Sequence, residues 1–496
     1  MLKSFLIAGT AAAVCLSAPA AWSASSGTPQ ARTPAVMKAT PSAKDAAAPK
    51  PAQTVPTAEP FEGSVLAEGL DSPWDMIWGP DGHIWVTERR GARVTSVDPA
   101  TGAKKVLVDV PDVFVGPQHE GVLGLALDPR PGKDADRNHV YLSHTYMDGA
   151  PGPGHEHARI VRFDYDAATG TLSNPKAILS GLPAGDDHNG GRLRFGPDGT
   201  LYYSIGEQGH NQGANACKPN YAQRLPTADE LDKADFTAYA GKILRLNTDG
   251  SVPDDNPTLN GVRSHVYTYG HRNPQGLVWV GDTLFECEHG PSTDDEINLI
   301  EAGGNYGWPN VAGFQDDLSY AYYNWSEAEN CADLPYDANH APSGVPMTKE
   351  SRWPTPDNFR PPLRTFYTVP DGYNFDDTLC GDLPYLCWPT LAPSSLAWYP
   401  DDGPIPGWGN SLLVTSLKNG ALYRLPLNPD GKTVQGDQWK YFHTPNRYRA
   451  ALVSPDGRDI YVATDVSGNV MDENGRPVNA MRNPGSILKF HYTPNQ

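Results

Sequence analysis

Apolar and polar positions alternate along this chain in short runs broken by tight-turn residues, and one arrangement returns repeatedly. An apolar or aromatic segment meets Pro-Asp-Gly, and an alternating run follows. It is read in WDMIWGPDGHIWVTER from Trp74, LRFGPDGTLYYSIGE from Leu193 and ALVSPDGRDIYVATD from Ala451. Looser copies are GVLGLALDP with VYLSHTY after Gly121, LVWVGDTLFECEHG from Leu277, and LAWYPDDGPIPGWGNSLLVTSL from Leu396. A period of two predicts strands, and Pro-Asp-Gly between two such runs predicts a tight turn in which glycine takes the positive φ. Six copies predict an all-β, six-bladed β-propeller, because radial repetition of small sheets shields most strand edges. A long sandwich accounts for the strands and leaves the repeat unexplained.

Composition narrows the class. The 496 residues are 39% hydrophobic and 20% charged, with 49 Gly and 48 Pro, which fits a loop-rich protein and disfavours coiled coils or long helical bundles. A net charge of −19 argues against a nucleic-acid partner, since phosphate binding needs surplus Lys and Arg on one face. Lys3 precedes an apolar run from Phe5 to Leu16, and small residues follow at Ala18, Ala20 and Ala24. Residues 1–24 therefore read as a secretory signal peptide and the protein as periplasmic; the run is too short for a membrane span. Residues 25–60, rich in Ala, Pro, Thr and Lys, read as a disordered linker, and 61–496 as the propeller domain.

Export to an oxidising compartment gives the cysteines weight. Cys15 leaves with the signal peptide, and Cys217, Cys287, Cys331, Cys380 and Cys387 remain. Cys380 and Cys387 are the best candidates for a local disulfide, the pairing of the other three is open, and the odd count leaves at least one thiol unpaired. No C-x-x-C pair occurs, which disfavours a thiolate zinc or haem site.

Propellers gather working residues from loops on one face, and the loops at the repeat boundaries are unusual here. GDDHNGGRLRFGPDG brings His188 to the third copy, YGHRNPQGL brings Arg272 and Asn273 to the fourth, SLKNG places Lys418 after the fifth, and PNRYRAAL carries Arg447 and Arg449 into the sixth. If these boundaries share a face, an acidic body holds a cationic pocket suited to a small polyanion. The plain alternative is a local salt bridge for each.

Taken together, GRLRFGPDGTLYYSIGEQGHNQ, GKILRLNTDGSVPDDNP, TYGHRNPQGL, HGPSTDDEINLIEAGGNYGWPNVAG, CWPTLAPSS and NRYRAALVSPDG resemble the PQQ-dependent aldose sugar dehydrogenases, which include soluble glucose dehydrogenases, from about Gly69 to Tyr492. The resemblance implies a six-bladed propeller that oxidises the anomeric hydroxyl of an aldose to the aldonolactone, using PQQ and Ca²⁺. It implies His188 as catalytic base, Asp187 beside it on the sugar, and Arg272 and Asn273 on the cofactor with Lys418, Arg447 and Arg449. Gln212, Tyr385, Trp388 and Thr390 fall at positions of the sugar and cofactor pocket. Carbonyls of Gly290 and Pro291 are implied as Ca²⁺ donors. A further Ca²⁺ site maps to Glu296, Asp316 and Glu350 with carbonyls of Tyr306, Ala312 and Phe314, near the contact of a homodimer.

The physics of these residue types agrees with such roles. Lys and Arg meet a tricarboxylate quinone with charge-assisted bonds, Ca²⁺ accepts backbone carbonyls, and a neutral imidazole suits removal of a hydroxyl proton. Two departures stand out. PQHEGVLG puts His119 by the cofactor positions where the family often has Gln or Glu, and Glu207 stands where the glucose enzymes orient the histidine with Asp. No haem-attachment C-x-x-C-H occurs, so electrons are expected to leave to a separate carrier. The alternatives are a Ca²⁺-dependent propeller lactonase, which needs side-chain carboxylates around a central ion, and a sugar-binding propeller without catalysis. The cationic residues speak against the first, and the combination of His188, Arg272 and Lys418 against the second.

Overall fold

The computed structural model describes residues 40–41, 60–129, 138–149 and 154–494. The expected signal peptide and nearly all of the expected linker lie outside the described residues. Among the described residues, six antiparallel sheets follow one another along the chain as blades of a propeller, five of four strands and the fifth blade with a short additional edge strand. The first strands of the six blades are Pro73–Trp78, Val122–Leu127, Leu193–Phe195, Pro274–Val280, Pro393–Tyr399 and Tyr448–Val453. Each begins one of the repeat copies read in the sequence. The three full Pro-Asp-Gly turns join the first and second strands of their blades, with Gly82, Gly199 and Gly457 at φ of 75°, 76° and 70°.

Ring closure unites the two ends of the domain. The outer strand of the sixth blade is Phe61–Ala67, which pairs antiparallel with Ile487–Tyr492. Phe61 is fully buried against Trp408, Phe442 and Tyr492, with centroids 5.3, 4.9 and 5.9 Å away. At the outer edge of the fifth blade, Thr40 and Pro41 pair with Lys440 and Trp439.

The core is divided among the seams between neighbouring blades. Trp85 and Val94 of the first blade meet Val140 and Phe163 of the second. Tyr141 and Ile160 meet Leu201 and Leu244, Tyr202 and Ile243 meet Leu277 and Leu284, and Phe285 and Ile297 meet Leu412 and Tyr423. Every blade is thus sandwiched, so inner strands such as Ile84–Glu88, Leu201–Ile205 and Ser411–Ser416 are buried along their whole length. The alternation expected from the sequence gives way there to two buried faces.

The first strands converge on a buried guanidinium. Arg192, fully buried, donates from Nε to the carbonyl of Gln275 at 2.8 Å and from Nη2 to that of Ser394 at 2.9 Å, and pairs through Nη1 with Asp75. Its guanidinium carbon lies 4.2 Å from the Trp74 ring centroid. Asp75 also accepts a fork from Arg194 at 2.9 and 3.0 Å and the Leu125 N–H at 3.1 Å. One carboxylate and two arginines therefore join the first strands of the first five blades. Burial alone would raise the Asp75 carboxyl, but Arg192 and Arg194 outweigh it and hold the group below its usual range.

Among the described residues two disulfides form, Cys217–Cys331 and Cys380–Cys387, and Cys287 is a buried thiol in the seam between the fourth and fifth blades. Among the described residues, no helix is long and apolar enough to cross a membrane.

Asp75→Ala strands the buried Arg192 charge and is expected to lower the unfolding free energy by about 3–5 kcal/mol, read by urea denaturation. Removing an exposed partner in the same way, Asp229→Ala beside Lys233, should cost less than about 0.5 kcal/mol. Equal losses would refute a special role for the axial pair.

Candidate active site

In an antiparallel blade, the start of the first strand lies beside the end of the second, so both boundaries open on one face of the ring. Residues entering first strands include His119, Asp187 and His188, Arg272 and Asn273, Thr390, and Arg447. Residues leaving second strands include Arg89, Glu207, His289 to Pro291, Lys418 and Asp465. The chemistry-bearing residues of the sequence thus gather from five blades onto one face.

The His188 loop is fixed by its own short side chains. Asn189 accepts the Gly185 N–H at 2.9 Å and donates to the Gly185 carbonyl at 2.7 Å, while Asp187 accepts the His188 N–H at 2.9 Å. His188 itself takes φ of 44°, in the left-handed region, a conformation held by its surroundings. Gly191 is required next to it, because a Cβ there would come within 2.7 Å of Leu123.

The His188 side chain is 10% exposed and rests on Glu207, with Nδ1 3.0 Å from both carboxylate oxygens. A carboxylate accepts only, so Nδ1 carries the proton and the Nε2 lone pair is left for other work. Asp187 Oδ1 lies 3.5 Å from Nε2 of His188 and 3.5 Å from Nε2 of His119.

Gln212 couples this pair to Arg272. Its amide nitrogen donates to Glu207 at 2.6 Å, and its oxygen accepts from Arg272 Nη2 at 2.5 Å. Arg272 also donates to the His289 carbonyl at 3.4 Å, and its backbone N–H is held by Glu288 at 2.6 Å. Its buried Nε and the buried Nε2 of His289 find no hydrogen-bond partner among the described residues. Burial and the charges of Arg272, His188, Arg449 and His119 around it push the His289 imidazole well below its usual range. Asn273 is buried and accepts the Gly190 N–H at 3.3 Å.

The salt-bridge alternative holds for Arg447 and Arg449. Arg449 grips Asp465 in a fork, 2.9 Å on each side, and Arg447 reaches the same carboxylate at 3.2 Å. Burial would raise Asp465, yet Arg449 and Arg447 prevail and pull it down to about 2. Lys418 instead donates to Thr390 Oγ1 at 2.9 Å and to the carbonyl of Trp388. Tyr385 joins the Arg447 side, since its hydroxyl accepts from Asn469 at 2.8 Å and the Asn469 carbonyl accepts from Arg447 at 3.0 Å.

Gly290 and Pro291 follow directly after His289, in a turn fastened by Asp295. That carboxylate accepts N–H groups of Gly290 at 2.9 Å, Leu391 at 2.5 Å and Ala392 at 2.8 Å, tying the turn to the loop that carries Thr390. The outer acidic set also comes together. Glu350 accepts the N–H groups of Ala312, Asp316 and Asp317 at 3.0, 3.2 and 2.9 Å, and Glu296 accepts that of Gly313 at 2.7 Å. Burial, with Asp316 adding repulsion, raises Glu350 to about 7 and Asp294 to about 7, and burial with Glu288 raises Glu296 strongly. Phe314 is exposed on that segment, and the Tyr306 ring stacks on His271 at 4.6 Å.

Gln212, Arg272, Pro291 and Trp388 line one cavity of about 210 Å³, whose other wall is aromatic, with Trp308, Tyr320 and Tyr336 among its residues. Sequence reasoning missed Arg89, Asp295 and Asp465, which hold or flank the residues it singled out. It also missed a buried group of His271, Glu286 and Glu288 behind Arg272, whose ligand-type atoms lie within 4.8 Å of one another. Both His271 nitrogens there already have partners, Thr268 at 2.9 Å and Glu288 at 3.1 Å.

The chain is 46% identical over 442 residues to quinoprotein glucose dehydrogenase B of Acinetobacter calcoaceticus, spanning 88% of this chain and 91% of that relative. Among solved structures, the PQQ-bound aldose sugar dehydrogenase of Streptomyces coelicolor superposes with a TM-score of 0.56 at 27% identity, covering 88% of this chain and 99% of that one. The apo form of the soluble aldose sugar dehydrogenase of Escherichia coli gives 0.58 at 25% identity, covering 87% and 100%. The family model for glucose/sorbosone dehydrogenases matches residues 70–358 and 381–472, and the chain belongs to that family.

Proposed function

We propose that the protein is a periplasmic quinoprotein that oxidises the anomeric C1 hydroxyl of glucose or a related aldose to the aldonolactone, with PQQ as oxidant and a separate carrier receiving the electrons. The observation that carries this reading is the His188–Glu207–Gln212–Arg272 chain, which links a proton-accepting imidazole to a guanidinium that lines the cavity of an otherwise acidic protein.

The residues suit both implied groups. Arg272, Lys418, Arg447 and Arg449 supply cationic donors for the carboxylates of PQQ, with Asn273, Thr390 and His119 beside them, and the buried Arg272 Nε retains a donor for an incoming acceptor. The carbonyls of Gly290 and Pro291 are oxygen donors of the kind Ca²⁺ takes, in a turn that Asp295 holds. When bound, PQQ supplies a two-electron acceptor and Ca²⁺ a Lewis acid that polarises it. The protein's own work is proton transfer and orientation. His188 Nε2 takes the anomeric hydroxyl proton, Glu207 stabilises the imidazolium through Nδ1, and Asp187, Gln212, Tyr385 and Trp388 orient the sugar. Arg272 would hold the oxidant through its guanidinium and supply positive charge where the acceptor takes up electrons.

The outer set of Glu296, Asp316 and Glu350, with carbonyls of Tyr306, Ala312 and Phe314, suits a structural Ca²⁺ site. Buried carboxylates that repel one another favour a divalent cation, and a homodimer contact beside it is part of the same reading.

Purified protein should reduce a dye in the presence of glucose only with PQQ and Ca²⁺ added, and His188→Ala should lower kcat/KM by about 10²–10⁴-fold. Turnover without added cofactor, or no PQQ binding, would overturn the proposal. Asp465 provides a pH test. Its folded-state value of about 2 lies below the unfolded value of about 3.9, so its contribution is present above about pH 4 and disappears as pH falls toward 2. Asp465→Asn should therefore reduce unfolding free energy by roughly 2–3 kcal/mol at pH 7, and the gap from wild type should close by about pH 2. For the outer site, Ca²⁺ added to chelator-treated protein at pH 7 should release protons, because Glu350 and Asp294 are raised to about 7. Calorimetry in two buffers of different ionisation enthalpy reads that release, and Glu350→Gln should diminish it.

A further inference from the structure

Between the third and fourth strands of the fourth blade, Asp295–Ile300 and Arg364–Phe366, the chain makes a long excursion. Residues 320–348 of it form a flap closed at its base by pairing of Tyr322–Tyr323 with Met347–Thr348. The flap has an interior of its own, in which Trp325, Ala328 and Val345 are buried together with Ala216 from the third blade. Tyr320, Tyr323, Trp325 and Tyr336 face the cavity that also holds Gln212 and Arg272.

Tyr320 anchors its base, donating to the Pro309 carbonyl at 2.6 Å, and further fastenings converge on one short turn. Asn211 donates to the Tyr323 carbonyl at 2.8 Å and accepts the Ser326 N–H at 3.1 Å. Ala216 supplies the apolar contact, and Cys217 forms the disulfide to Cys331 across 114 residues of sequence. The same turn carries Glu207, which holds His188, and Gln212, which bridges to Arg272. Asn215 secures it further, accepting the Asn211 N–H through its carbonyl at 3.0 Å and donating to Asp186 at 3.2 Å.

We infer that the Cys217–Cys331 bridge is a positioning device for substrate recognition, locking the aromatic flap as the outer wall of the sugar pocket in register with the turn that bears Glu207 and Gln212. The inference rests on the reading of this cavity as the aldose site. Aromatic faces suit the apolar faces of a sugar ring, while Gln212 and Arg272 serve its hydroxyls. Hydrogen bonds and a small apolar cluster alone would leave the flap free to open locally, whereas a covalent tie closing a long loop removes most of that freedom. The wall then meets the sugar already in place, and ordering it is not charged against binding.

The test is the Cys217→Ser/Cys331→Ser double variant of the full chain, loaded with PQQ and Ca²⁺. Amide exchange across residues 320–348 should accelerate, KM for glucose should rise about tenfold while kcat stays within about twofold, and the preference for glucose over the bulkier maltose should shrink. PQQ affinity, read from its absorbance change, should be unchanged. Mild reduction should produce the same changes in wild type and add nothing in the double variant, which separates this bridge from Cys380–Cys387. Unchanged exchange and KM would overturn the inference. Should the double variant fail to fold, Asn211→Ala loosens the same fastening without touching a cysteine and is read in the same way. If wild type turns over no aldose, the functional reading fails, and the exchange measurement still decides whether the bridge holds the flap.

Discussion

The buried Asp75–Arg192 pair is the constraint on which the rest of the molecule leans. A propeller has no central hydrophobic core, because its apolar surface is spent in the seams between blades. The narrow ends of the first strands must therefore be held by something else. Arg192 meets that need with a rigid planar fork, reaching Asp75 and the carbonyls of Gln275 and Ser394, and Arg194 completes the carboxylate's neutralisation. A lysine could not make these bonds at once, since it carries a point charge on a flexible stem. His188 lies just upstream on the same loop, so the base of the proposed chemistry is fixed by the same stretch that fixes the axis.

A rigid axis lets the face above it hold charge that would otherwise disperse. Asp465 gathers Arg447 and Arg449, Asp295 ties the Gly290 turn to the Thr390 loop, and Glu288 holds the backbone at Arg272. In each case an acid with little exposure positions a neighbour. Asp465 in particular keeps two like charges close together before any ligand arrives, so their mutual repulsion is already offset in the folded chain. This arrangement differs from a ring of carboxylates about a central ion, which a Ca²⁺-dependent lactonase would require.

Much of this was legible in the sequence, and the part that was not shares a cause. Pro-Asp-Gly turns gave the blade count because turn chemistry is local, and the boundary position of His188, Arg272, Lys418, Arg447 and Arg449 predicted a common face because blades repeat. Asp75 was passed over inside WDMIW, where it looks like the polar half of an alternating strand. Asp465 ends an ordinary strand, and Asp295 sits in an acidic run that reads as solvated. Their meaning lies in partners that only the ring closure supplies: Arg449 and Gln275, for instance, bond across 174 positions. The Cys217–Cys331 pairing was open for the same reason, since three unpaired cysteines spread over the chain give no spacing to read.

The division of labour that results separates what must stay fixed from what can vary. The imidazole, the guanidinium and the cationic clamps hang from strand ends that six packed seams and one axial ion pair hold still. The outer wall of the cavity belongs to an excursion that contributes no strand to any blade until Arg364–Phe366. Changing that wall disturbs neither the axis nor the seams, so it is the part of the site that can be altered at least cost to folding. Set outside the blade seams, it has only small apolar clusters to hold it, and a covalent tie to the turn that already carries Glu207 and Gln212 adds what they do not supply.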